Sequence, residues 1–184
     1  MAPDDLPRPD VPAAIAVVRD FVNTTDHETG ADDLTTPADL SDWLHAEGRL
    51  SPRREATQDE WALALRLRAG LRRALERNHE GLTDPDPALA AVLAELPITL
   101  TWTEAGPTLT STATGVLGAL ATIGLAAHTA AVDDQWWRLK ICAADDCAWA
   151  YYDHSKNRSR NWCEYGCGNK VKTRAYRARQ RSAT

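Results

Sequence analysis

All four cysteines of this 184-residue chain lie within 26 consecutive residues, as Cys142, Cys147, Cys163 and Cys167. Their spacing, C-x4-C-x15-C-x3-C, provides the two close pairs of thiols that a tetrahedral structural zinc site requires. Two disulfides are the alternative, but disulfides belong mainly to exported proteins. The chain begins MAPDDLPRPD, without the basic and apolar regions of a secretory signal. We therefore predict one structural Zn²⁺ held by all four thiolates in a reducing, cytoplasmic compartment.

The residues after the last cysteine predict a strongly basic helix, with Asn169 available as its N-cap. Most of its cations recur every three or four residues, so they fall along one helical face. The candidate nucleic-acid-binding residues on this helix are Lys170, Lys172, Arg174, Arg177, Arg179 and Arg181. Those in the loop between the two cysteine pairs are Lys156, Arg158 and Arg160.

Charge is divided unevenly along the chain. Residues 138–184 carry 11 Lys+Arg against 4 Asp+Glu, a net +7, whereas residues 1–137 carry a net −12. Four thiolates bound to zinc would reduce the C-terminal total to about +5. A small zinc module with an arginine-rich helix most often binds nucleic-acid phosphates. Two alternatives stay open: the basic face is simply solvated, or it docks on the acidic body of the same chain.

The C-terminal segment resembles the CGNR zinc finger. Residues 139–142 read LKIC, residues 153–163 read DHSKNRSRNWC, residues 167–170 read CGNK and residues 172–179 read KTRAYRAR. These match the family's first cysteine pair, its D-x-S-x-N centre, its C-G-N-R sequence and its K-x-R-x-Y-R-x-R helix. The resemblance implies zinc binding and DNA binding. Lys170 replaces the arginine of the family motif, and lysine does not reproduce a bidentate arginine contact.

Residues near the N-terminus resemble a second family. Residues 20–24 read DFVNT, similar to the signature that opens the ABATE domain, which commonly precedes a CGNR finger in bacterial proteins. The resemblance implies a stress-responsive transcription regulator whose first domain is a sensor. On that basis Asn23 and Thr24 are candidate effector-binding residues. The following Asp26 and His27 either line an effector pocket or cap the end of the preceding helix.

The body ahead of the cysteines is predicted to be mainly helical. Pro12, the pair Thr36-Pro37 and the capping-box pattern at residues 57–60 mark three helix starts, and Gly48 and Gly81 mark two ends. A short helix over residues 88–96 and a hairpin over 98–112 follow. The uncharged segment 113–132 is rich in Ala, Gly and Thr and predicts a buried helix rather than a membrane span. Residues 1–10 and 182–184 are expected to be mobile.

We therefore predict a mainly α N-terminal domain with a small β-hairpin (an α+β domain, residues 1–132). A treble-clef-like zinc finger ending in a basic helix follows (residues 133–184), with strands over 136–141 and 148–152. No catalytic motif is present, and four thiolates leave no open coordination position for a water molecule, so no enzyme is predicted. The favoured function is a DNA-binding regulator that senses a ligand or dimerises. The alternative is a protein-interaction module whose basic helix docks on an acidic partner or on its own N-terminal domain.

Overall fold

Five helices form the body that precedes the cysteines, counted from residue 11 onward. In the computed structural model, which describes residues 11–182, they are α1 (Ala13–Val22), α2 (Pro37–Ala46), α3 (Gln58–Glu80), α4 (Pro87–Ala94) and α5 (Gly115–Val132). Strands β1 (Ile98–Thr103) and β2 (Gly106–Ser111) lie between α4 and α5. A 3-10 turn (Trp136–Arg138), β3 (Leu139–Ile141), β4 (Ala150–Tyr152) and α6 (Cys167–Ser182) complete the chain. Of the ends expected to be mobile, residues 1–10 and 183–184 lie outside the described residues, and Ser182 ends α6.

Local sequence sets the bounds of α2 and α3. The Thr36 side chain accepts a hydrogen bond from the Asp39 N–H, while the Asp39 carboxylate accepts one from the Thr36 N–H. Thr57 and Glu60 form the same reciprocal pair at the start of α3. Helix α3 ends at Gly81, whose φ of 72° is the left-handed conformation that glycine adopts without strain. The predicted caps and stop are confirmed.

Helix α5 is the central helix of the main core. It is long and apolar enough to cross a membrane by length and composition, but 44% of it is buried inside the protein, and it packs against α1 and α3. A Cβ added at Gly118 would overlap the backbone carbonyl oxygen of Ala113, so this close approach requires a glycine. These contacts identify α5 as the buried helix that its small residues predict.

The first hairpin pairs β1 and β2 antiparallel, from Ile98 opposite Ser111 to Thr103 opposite Gly106. It confirms the predicted alternation. Its outer face is open, since Trp102 is 83% exposed.

The second hairpin pairs Leu139 with Tyr152 and Ile141 with Ala150. The predicted strands over 136–141 and 148–152 were too long. Residues 136–138 instead form a 3-10 turn, and Ala148 has a φ of 48°, which lies outside the extended region. The inward side chains of β3 and β4 belong to the same buried cluster as the helices. This hairpin is therefore built onto the helical core, and the boundary between residues 132 and 133 stays a prediction.

Candidate metal centre and basic helix

The four cysteines lie at the ends of short elements that bring them together. Cys142 directly follows β3, Cys147 lies just before β4, Cys163 ends the following loop and Cys167 begins α6. All four are buried, and their Sγ atoms lie within 4.8 Å of one another. The Sγ separation is 3.8 Å between Cys147 and Cys163 and 3.5 Å between Cys163 and Cys167. Sulfurs at the corners of a ZnS₄ tetrahedron lie about 3.8 Å apart, so the cysteines are positioned to bind one metal ion.

Crowding of the thiols shifts their pKa values in opposite directions. A hydrogen bond from Cys163 lowers the pKa of Cys142 to about 5. Burial raises the pKa of Cys147 to about 12, and the hydrogen bond to Cys142, with burial, raises the pKa of Cys163. The crowding therefore favours a thiolate at Cys142 beside protonated thiols at Cys147 and Cys163. Only a bound cation makes full deprotonation of such a cluster favourable.

Aromatic side chains enclose the cysteine cluster. Tyr151 is fully buried in it, and Trp149, Trp162 and Val171 pack around it half-buried. The Tyr151 hydroxyl donates to the carbonyl of Arg160 at 2.5 Å. These contacts give the aromatic residues of the finger a packing role around the cysteines.

An ion pair beneath the finger loop was not foreseen from the sequence. Lys140 and Asp153 are both buried, and the Lys140 ammonium donates to the Asp153 carboxylate at 2.9 Å. The same carboxylate accepts the backbone N–H groups of Ser155 and Arg160, each at 2.9 Å. Burial opposes ionisation of Asp153, but the hydrogen bonds from Ser155 and Lys140 outweigh it and lower its pKa. Lys140 also donates to the carbonyl of Arg158, so this pair shapes the whole loop.

The three loop cations are placed differently from one another. Lys156 is exposed. Arg158 pairs with Asp134 at 2.5 Å. The Arg160 guanidinium donates to the carbonyl of Trp162 at 2.7 Å and lies over the Tyr151 ring. Arg160 therefore has structural contacts that the basic pattern did not reveal.

Helix α6 presents its cations to solvent in two groups. Lys170 pairs with Glu28 of the N-terminal body at 3.0 Å, and Arg174 pairs with Asp146 at 2.8 Å. The remaining four are exposed and have no ion pair within the described part of the chain: Lys172, Arg177, Arg179 and Arg181.

The predicted N-cap at Asn169 is wrong, because the helix begins at Cys167 and the N–H groups of both Asn169 and Lys170 already donate to the Gly166 carbonyl. The turn that carries Cys163 and Cys167 and the start of the helix are thus one unit.

Asn23 and Thr24 join the helical body to the finger. The Asn23 side chain donates to the Ala150 carbonyl at 2.9 Å and accepts the Ala150 N–H at 2.8 Å, as a neighbouring strand would. Thr24 is buried, donates to the Phe21 carbonyl and accepts from Arg68. Effector binding by these two residues stays a prediction, and both side chains have structural partners.

Two residues of α3 extend this junction and were missed from the sequence. Arg72 donates to the Ala148 carbonyl at 2.6 Å and to the Val22 carbonyl at 2.8 Å. Asn78 donates to the carbonyls of Trp136 and Leu139 at 2.9 and 3.0 Å. A signal was present for Asn78, a polar residue seven positions after Leu71 and hence on the apolar face of the helix.

The fold and the site define a helical protein with a four-cysteine metal-binding finger, and comparison with protein families identifies it further. The CGNR zinc finger matches residues 138–180. The ABATE family, described as "Putative stress-induced transcription regulator", matches residues 16–151. The chain therefore belongs to the ABATE family and carries a CGNR zinc finger after its helical body. Neither of these is an enzyme family.

The two matches overlap at the β3–β4 hairpin, which is the part of the finger that packs into the main core. A search of curated proteins finds no match to the chain.

Proposed function

We propose that this protein is a zinc-containing DNA-binding transcription regulator of the bacterial cytoplasm, with a role in stress response. The observation that carries the proposal is the group of exposed cations on α6 that have no ion pair among the described residues, on a helix that begins at a metal-ligating cysteine. The helical body would sense a ligand or form a homodimer. Zn²⁺ is the proposed metal, because four buried thiolates at these separations match its usual structural coordination.

In this proposal the metal has a structural role. Zinc would hold Cys163 and Cys167 against the β3–β4 knuckle and so fix the direction in which α6 leaves the finger. A helix of 16 residues is about 24 Å long, long enough to lie along a DNA groove or to follow a phosphate backbone. Lys156, in the exposed loop, would add a further phosphate contact. Arg158 and Arg160 would first have to leave their present partners.

The test is DNA binding by zinc-loaded full-length protein, measured by fluorescence anisotropy on mixed-sequence duplex from low to physiological salt. The Lys172→Ala/Arg177→Ala/Arg179→Ala variant should bind much more weakly, and its log–log salt slope should be smaller by about 1 for each phosphate that it no longer neutralises. The control removes the same number of exposed cations from the helical body, where each pairs with a carboxylate: Arg53, Arg66 and Arg73. No salt-dependent binding by the wild-type protein, or equally weakened binding in both triple variants, would disprove DNA binding through α6.

A second candidate function is a protein-interaction module whose basic helix docks on acidic groups. The ion pair between Lys170 and Glu28 favours it, because it joins α6 to the acidic body of the same chain. If self-docking is dominant, the wild-type protein will not bind DNA, and the Glu28→Gln/Asp146→Asn variant will. If DNA binding is dominant, the wild-type protein binds and this variant changes the affinity only moderately, since both pairs are exposed.

A further inference from the structure

A cleft of about 310 Å³ lies where the loop after α1 meets the zinc finger. Asp26 and Glu28 line it from the helical body, and Cys147, Trp149, Tyr165 and Cys167 line it from the finger. Its volume is at the lower end of the range of small-molecule sites. Cys147 and Cys167 also belong to the metal centre, and Glu28 pairs with Lys170 of α6. The other lining residues have no part in the DNA binding proposed above.

The aromatic wall of the cleft is a corner formed by two rings. The Trp149 and Tyr165 centroids lie 6.1 Å apart and their planes meet at 88°. The electron-rich faces of Trp and Tyr attract cations, most strongly organic ammonium groups that have weak hydration shells. Because ring edges are electron-poor, the part of this corner that attracts a ligand ammonium is an electron-rich ring face.

The opposite wall is acidic and already ordered. Partial burial opposes ionisation of Asp26, but hydrogen bonds from Thr29 and from the backbone N–H groups of Glu28 and Thr29 outweigh it and lower its pKa. The Asp26 N–H donates to the Ala31 carbonyl at 2.8 Å and the Gly30 N–H donates to the Asp26 carbonyl at 2.9 Å. Asp26 is therefore held in place before any ligand arrives, which lowers the entropic cost of binding.

The floor of the cleft adds negative charge. Cys147 and Cys167 belong to the metal centre, and four thiolates around Zn²⁺ keep about two negative charges in excess. We infer that this cleft is a binding site for a small organic cation, held by cation–π contact with Trp149 and Tyr165 and by the carboxylates of Asp26 and Glu28. An anionic or neutral ligand of the same shape would lack these attractions.

Glu28 links the cleft to the basic helix. Its carboxylate pairs with Lys170 at 3.0 Å, so a cation that binds Glu28 competes with Lys170. The Lys170 ammonium is then unpaired and adds to the positive charge that α6 offers to DNA. This second step rests on the proposed DNA binding. Because coupling between two sites is reciprocal, DNA should raise cation affinity by the same factor by which the cation raises DNA affinity.

The binding step is tested without DNA. Choline and its uncharged analogue 3,3-dimethyl-1-butanol are titrated into zinc-loaded full-length protein, with the indole N–H signal of Trp149 followed by NMR. Choline should give a saturable shift and the alcohol should not. Glu28→Gln and Asp26→Asn should each weaken choline binding about three- to fivefold. Tyr165→Leu should weaken it about two- to fivefold, and Tyr165→Phe should retain it.

The control variant is Glu104→Gln, which removes the same charge at the exposed tip of the β1–β2 hairpin and should leave choline affinity unchanged. Zinc content and thermal stability are measured for each variant, so that an unfolded variant is recognised. The inference is overturned if choline gives no saturable shift, if the alcohol binds equally well, or if Glu28→Gln and Glu104→Gln behave alike.

The coupling step is tested by DNA anisotropy in saturating choline chloride against an equal concentration of sodium chloride, which matches the screening of the DNA phosphates. Choline should tighten DNA binding about two- to fivefold in the wild-type protein, and Glu28→Gln should abolish the difference. An unchanged DNA affinity would overturn the coupling. If no DNA binding occurs at all, the proposed function fails while the choline titration still decides whether the site exists.

Discussion

At the scale of single residues, Asp153 organises the finger loop, a role that the pattern of charges in the sequence did not reveal. Its carboxylate accepts the Lys140 ammonium and two backbone N–H groups while being fully buried. It lies within the finger motif, where the neighbouring basic residues are the ones that suggest a function from the sequence. Its position shows that part of that motif serves to fold the loop.

We expect Asp153→Asn to lower the free energy of unfolding by about 3–5 kcal/mol, because it leaves the Lys140 charge buried without its counter-ion. Urea unfolding of the zinc-loaded protein measures this. Asp134→Asn is the control, since it breaks an exposed pair with Arg158 and should cost no more than about 1 kcal/mol. Similar destabilisation of the two variants would contradict the assignment.

The thiols supply a pH-dependent prediction. Burial raises the pKa of Cys147 to about 12, so this thiol is protonated at neutral pH in the metal-free protein and must release its proton when zinc binds. Zinc affinity should therefore rise with pH, by about tenfold per pH unit for each proton released. Competition with a chromophoric chelator at pH 6, 7 and 8 measures the slope. A zinc affinity that does not depend on pH would rule out protonated thiols in the free site.

At the scale of secondary-structure elements, the finger hairpin depends on helices far away in sequence. Asn23, directly after α1, donates its side-chain amide to the Ala150 carbonyl of β4, and Asn78 of α3 donates to the Leu139 carbonyl of β3. The knuckle that presents the first two cysteines is thereby fixed to the helical body.

We expect Asn23→Ala to lower the free energy of unfolding by about 1–3 kcal/mol, because the buried N–H and C=O of Ala150 both lose their partner. Asn161→Ala, at an exposed position, should change stability by less than about 0.5 kcal/mol. Thermal or urea unfolding compares the two. Unchanged stability in the Asn23 variant would instead favour the effector-binding role predicted from its signature.

At the scale of the whole molecule, the β3–β4 hairpin contributes to both the metal centre and the helical core. Inward residues of β3 and β4 lie in the main core, while Cys142 and Cys147 at the ends of these strands face the metal centre. Removing the metal should therefore affect more than the finger.

We expect chelation to unfold the finger and also to lower the melting temperature of the helical body. Without the metal, the β3–β4 hairpin keeps its packing on the helices but loses its attachment through the cysteines. Circular dichroism, in the far-UV for the helices and the near-UV for the tryptophans, follows both parts during thermal unfolding. Cys163→Ser serves as the control, since a protein that lacks one ligand should respond far less to chelator. A helical transition that is indifferent to chelation would mean that residues 1–132 fold independently, as the predicted boundary implies.

The sequence by itself determined the features that depend on neighbouring residues. The cysteine spacing predicted that the four thiols cluster, because each pair is brought together by a short turn. The threonine caps predicted the helix starts, because a capping box involves only four consecutive residues. The cation spacing predicted a basic surface on α6, and every side chain from 172 to 181 is exposed. Its errors were small. The predicted second strand of the finger began at residue 148, whereas β4 begins at Ala150, and the predicted N-cap of α6 was Asn169, whereas the helix begins at Cys167.

Tertiary structure alone decided which distant groups meet. Asn23 pairs with Ala150, Arg72 with Ala148 and Glu28 with Lys170, and no local pattern encodes such contacts. They arise because the β3–β4 hairpin buries its apolar face on α1 and α3, and burial is non-directional. Once that packing is in place, each buried backbone group requires a hydrogen-bond partner, and the nearest polar side chains of the helices provide it. The acidic, aromatic cleft beside the metal centre is a product of the same packing.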